Sequence, residues 1–163
     1  MPVADKSKWS PKTFRSIDEL SAEIDRIETA HQAGMLSTAG GWTPGQCMSH
    51  TAVFIKSSYD GFELGAPWIL RAVCSLLLKP VATKPKSQMK PGIKLPAKAK
   101  ELLPEDAVSV EEGIAQMRTQ IARIKSGEQM TQVSPLLGKM SHQQWVNLHL
   151  NHCRMHYGFF SYE

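Results

Sequence analysis

A chain of 163 residues with 42% hydrophobic and 21% charged side chains is long enough to bury a core, and its composition excludes the disordered and fibrous classes. Three cysteines at irregular spacing, Cys47, Cys74 and Cys153, make no disulfide framework, and no apolar run reaches the roughly 18 residues of a membrane span. The N-terminus also lacks the apolar stretch of a signal peptide, so a cytoplasmic, reduced setting is expected.

Residues 1–15 carry Pro2 and Pro11 and no periodicity, and read as an N-terminal tail. Residues 16–163 read as one domain. Ser16 and Glu19 have capping-box spacing, and Ile17, Leu20, Ile24 and Ile27 recur at helical intervals, predicting a first helix over about 17–32. Beyond the Gly40-Gly41 break, Thr43 can cap, Pro44 suits the first helical position and Gln46 sits at the reciprocal capping position. A second helix over about 44–60 follows, with His50 on its mostly apolar, inward stripe. The run from Ala66 to Leu78 is apolar nearly all round, and reads as a short buried helix or as the contact of a homodimer.

Lys79 to Lys100 holds seven lysines, four prolines and no acidic residue. Prolines at this density exclude a regular helix or a central strand, so a long surface crossover is expected. Lysines neutralise phosphates, but the segment has no arginine and no aromatic residue to stack on bases, so a nucleic-acid partner is not expected. Ser109 with Glu112 opens a third major helix over about 110–126, closed by Gly127. Ser141, with Gln144 three residues on, caps a fourth. No strand pattern of convincing length is present. The expected class is all-α, a four-helix bundle with a short extra helix and a long crossover between the second and third major helices.

The fourth helix carries most of the distinctive chemistry. His149, His152 and His156 fall at i, i+3 and i+7, on one side of the helix. Neutral imidazole is a common metal ligand, and His at i and i+4 lets two rings meet one ion. His50 plus two of these three would make three protein ligands with an open position, the pattern of a catalytic metal site. Cys47 and Cys153, each one turn from a candidate histidine, offer thiolate as a competing ligand, set against the ordinary role of buried cysteine as a small apolar residue. His31 and His142 sit at helix ends and read as surface residues. Asp60 and Glu63 are the acids nearest the end of the second helix, and neither stands out as a general base. No phosphate-binding glycine loop, G-x-S-x-G elbow or CxxC pair is present, which argues against nucleotide-binding, serine-hydrolase and thioredoxin chemistry.

The helix start Trp42, Gln46, His50, the run Pro135, Leu136, Gly138, Ser141, Trp145 and the final HxxxHYG together resemble the DinB-like superfamily, also called YfiT-like metal-dependent hydrolases. The likeness covers about residues 13–160 and is nearest to a branch of uncharacterised bacterial domains, whose crossover is similar to KPGIKLPAKAKELLPED. It implies a four-helix bundle holding a divalent metal, nickel or zinc, on three histidines matching His50, His152 and His156. Relatives in that branch often carry a second histidine where this chain has Cys153 and glutamine where it has His156, which keeps His149 as an alternate ligand or a support behind the ligands. The superfamily includes thiol-dependent transferases and isomerases. A small-molecule substrate or a thiol cosubstrate is therefore expected, in a metal-dependent hydrolase or S-transferase; the other expectations are a non-catalytic metal- or small-ligand-binding bundle and a structural dimer whose histidines are only polar packing. No membrane partner is expected.

Overall fold

The structure is a computed structural model that describes residues 3–63, 65–92 and 102–162. It is mostly helical. Among the described residues the elements are a 3-10 turn at Lys6–Lys8, α1 (Ile17–Gln32), β1 (Ser37–Thr38), α2 (Pro44–Asp60), α3 (Trp68–Leu77), α4 (Lys79–Ala82), α5 (Val110–Lys125), α6 (His142–Tyr157) and β2 (Phe160–Ser161). None of these helices is long and apolar enough to cross a membrane.

The four long helices begin where their capping chemistry places them. Thr43, Ser109 and Ser141 each accept the N–H three residues on, and Gln46, Glu112 and Gln144 return the bond to the cap N–H. At α1 the exchange is displaced by one residue. Ser16 accepts from the Glu19 N–H, but the Glu19 carboxylate takes the N–H of Arg15. Satisfying these first-turn donors fixes each helix register, and with it the face each histidine occupies.

α2 is the central element. It packs on α5 and on α6, and α5 packs in turn on α1. Leu20, Ile24, Ile27, Met48, Ile55, Met117, Trp145 and Tyr157 make the centre of the core. Near their N-termini α2 and α5 approach so closely that a Cβ at Gly45 would lie 2.4 Å from the Ser109 carbonyl oxygen, and one at Gly113 would lie 2.8 Å from the Gly45 carbonyl oxygen. Small residues are needed there because backbone meets backbone. The strands are a two-residue antiparallel pair, Ser37 opposite Ser161 and Thr38 opposite Phe160, that ties the end of α6 to the link between α1 and α2.

The segment before α1 lies along the end of α6. Trp9 Nε1 donates to the Met155 carbonyl at 2.9 Å, the Ser10 N–H to Gly158 and the Lys12 N–H to Arg154, and Phe14 is buried. Of the two readings of Ala66–Leu78, a buried helix or a homodimer contact, the first is not what forms within the chain: apart from Cys74 the large apolar side chains of α3 are exposed. Within the crossover a single turn, α4, forms with Pro80 in its first turn, where the missing N–H costs nothing. Residues 83–92 continue without helix or strand, and the remainder of the expected connection lies in residues 93–101, outside the described residues.

Candidate metal centre

α2 and α6 lie side by side, and the capped starts of both helices set the register that turns His50 of α2 toward His152 and His156 of α6. His50 Nε2 lies 3.3 Å from His152 Nε2, and His156 Nε2 lies 3.0 Å from the same atom. The ligand atoms of all three residues fall within 4.8 Å of one another. Ring centroids are 5.0 Å apart for His50 and His152, 4.8 Å for His50 and His156, and 4.5 Å for His152 and His156, each pair edge to face. His50 is buried, whereas His152 and His156 are half-buried, so the cluster sits at the edge of the core.

The hydrogen bond on the far side of His50 decides which nitrogen faces the cluster. His50 Nδ1 lies 2.5 Å from the Leu102 carbonyl oxygen. A carbonyl only accepts, so Nδ1 carries the proton and Nε2 presents its lone pair to the other two rings. This support on the second ring nitrogen is the usual accompaniment of a metal-ligating histidine. His152 has no such partner: its Nδ1 is buried without a hydrogen bond among the described residues.

All three rings are held neutral. Burial pushes the His50 pKa below the ordinary histidine value, opposed by its bond to the Leu102 carbonyl. Burial and then the neighbouring rings, His156 foremost, push His152 well below it, and burial with His50 does the same to His156. Neutral imidazole is the form that binds a metal. At these distances either His152 Nε2 carries its ring's proton and donates to a neighbour, or the lone pairs face one cation. Metal–nitrogen bonds of about 2.0–2.1 Å give nitrogen–nitrogen edges of roughly 2.8–3.0 Å in octahedral and 3.3–3.4 Å in tetrahedral coordination. The two separations from His152 Nε2, 3.0 and 3.3 Å, are of that size, and the three ligand atoms together lie within 4.8 Å of one another. The three-histidine donor set could hold a metal ion.

Aromatic rings wall the cluster. Trp42, just ahead of the α2 cap, stacks on His156 with centroids 5.6 Å apart and planes 13° from parallel, and lies 4.9 Å from His50. Phe54, one turn beyond His50, sets its edge against His152 at 5.1 Å and against His149 at the same distance. Phe54 therefore stands between the cluster and His149. The His149 ring stacks on Trp145, and its Nε2 donates to Ser58 Oγ at 3.1 Å, because that hydroxyl already gives its proton to the Ile55 carbonyl. His149 does not join the three.

The cysteines are elsewhere too. Cys47 and Cys153 lie in the core, and burial pushes both thiols up to about 12. Their neighbourhood is a closed polar knot in which Tyr157 Oη lies 2.8 Å from Thr51 Oγ1, and Thr51 in turn bonds the carbonyls of Cys47 and Met48. The thiolate alternative is not what the structure forms. His31 pairs with Glu111 at 2.7 Å on the surface, while His142 Nδ1 accepts the Met130 N–H. Asp60 is engaged by Arg123 at 2.8 Å, so it is a structural partner rather than a base. The Leu102 carbonyl is the contribution that sequence reading missed, because a backbone oxygen at the far end of the crossover has no side-chain signature.

A family model, DUF1569, a protein of unknown function, matches residues 10–163, and the chain belongs to that family. No curated protein and no solved structure matches it.

Proposed function

We propose that this member of the DUF1569 family binds one divalent metal ion on His50, His152 and His156 and uses it in a small-molecule reaction, hydrolysis or thiol transfer. The observation that carries the reading is the convergence of three Nε2 atoms from two helices, one with its lone pair fixed inward by the Leu102 carbonyl. A bound divalent ion supplies a Lewis acid that polarises a substrate oxygen or holds a thiolate. The chain supplies the rest. α2 and α6 hold the ligands, Trp42 and Phe54 restrict water on two sides, and the half-buried position of His152 and His156 leaves an approach from solvent. We read the four long helices as a bundle of the DinB-like kind, on the motifs beginning at Trp42 and Pro135. Nickel and zinc are the ions this donor set favours.

A second reading is a metal-binding module without turnover, which the same three histidines would serve equally. Metal content of protein purified without a polyhistidine tag tests both. About one divalent ion per chain is expected, together with a raised melting temperature on adding zinc or nickel. His50→Ala or His152→Ala abolishes both effects. A metal-free wild type whose melting temperature does not respond to either ion defeats both readings. Turnover of ester, amide or low-molecular-weight thiol substrates by the loaded protein separates enzyme from binding module.

A further inference from the structure

α3 is an amphipathic helix mounted inside out. Arg71, Cys74 and Ser75, spaced at three and four, face the protein: Cys74 is buried, and a Cβ at Gly138 would meet Ser75 Oγ at 3.4 Å and Arg71 Cγ at 4.0 Å. Ile69, Val73, Leu76 and Leu77 point the other way, and Trp68 stands exposed at the helix start, with Trp68 at 72% and Leu76 at 75% exposure. Leu78 and Val81 extend the apolar surface into α4. A contiguous apolar face of this kind marks an interaction site.

We propose that this face docks on an anionic lipid bilayer, lying in its interface rather than crossing it. Charge around the patch selects the occupant. Between Glu63 and Glu101 the sequence has no acidic residue, and the turns after α3 carry Lys79, Lys84, Lys86 and Lys90. The last three are exposed, and Lys79 Nζ is tied to the Lys139 carbonyl, which brings a further lysine beside the end of α3. An apolar helix face with Lys79, Lys84 and Lys139 near its C-terminal end suits acyl chains under phosphate headgroups. A second copy of the chain suits it less. A ten-residue helix offers a footprint of roughly 15 by 10 Å, far below the ~800 Å² per partner of a stable dimer. The attachment is independent of the histidine cluster.

Co-sedimentation of the full chain with vesicles tests it. Binding to phosphatidylcholine vesicles carrying about 30% phosphatidylserine should be at least about tenfold tighter than to phosphatidylcholine alone, and should weaken when salt is raised from about 0.1 to about 0.5 M. Leu76→Ser, at a position that is already exposed, should lower binding about tenfold or more with an unchanged circular dichroism spectrum. Lys84→Glu with Lys139→Glu should lower binding to the anionic vesicles alone. Equal binding to both vesicles, or binding to neither, overturns the proposal. So does a concentration-dependent dimer in sedimentation velocity that Leu76→Ser dissociates in a protein that ignores vesicles.

Discussion

His149 and His156 are seven residues apart on α6, a rise of roughly 10 Å, and that distance decides which histidines meet. One ring on α2 can face two adjacent turns of its neighbour, not three. The spacing alone left His149 eligible, because it shares a side of the helix with the others. What removes it is the third dimension: Phe54 fills the space between, and Ser58 and Trp145 take up the His149 ring. His149 has its own consequence for stability. Burial, with His142 adding to it, lowers its pKa to about 3, whereas the unfolded chain titrates near 6.5. Between those values the unfolded state binds the proton and the folded state does not, so stability of the metal-free protein falls as pH drops from about 6.5 toward 3. The slope from this residue is at most about 1.4 kcal/mol per pH unit. Urea unfolding across that range should show the decline, and His149→Gln should make it shallower.

Helices were the most legible level. Cap residues with a glutamine or glutamate three places on, followed by apolar residues at three and four, placed α1, α2, α5 and α6 to within a residue or two. What the pattern could not supply was the surroundings of each element. The apolar run at Ala66–Leu78 signalled a helix correctly, but composition cannot say whether an apolar helix is covered, and α3 is not. The crossing of α2 and α5 was equally hidden, since a glycine in a helix reads as a weakness. Alanine normally improves on glycine in a helix interior by about 1 kcal/mol. At Gly113 the new Cβ would meet the Gly45 carbonyl oxygen at 2.8 Å and Met48 Cβ at 3.0 Å. Gly113→Ala should therefore reverse the usual sign and destabilise by about 1–3 kcal/mol, read as a lower urea midpoint with an unchanged slope.

At the scale of the whole molecule, the site depends on parts far apart in the chain. His50 comes from α2, its tautomer is set by Leu102 at the end of the crossover, and His152 and His156 come from α6, whose end is gripped by Trp9, Ser10 and Lys12. The side chains of this assembly were legible because three ligand-type residues stood at helical spacing on two recognisable helices. The backbone support was not, because carbonyls carry no residue code and the link from α2 to Leu102 spans 52 positions. The central claim is that these converging nitrogens hold an ion. An anomalous difference map from crystals of untagged protein, collected at the zinc and nickel absorption edges, tests it most directly. The account predicts a single strong peak bonded to Nε2 of His50, His152 and His156 at about 2.0–2.1 Å. A map with no peak there after soaking in both ions, or a peak on His149 or a cysteine instead, would contradict it.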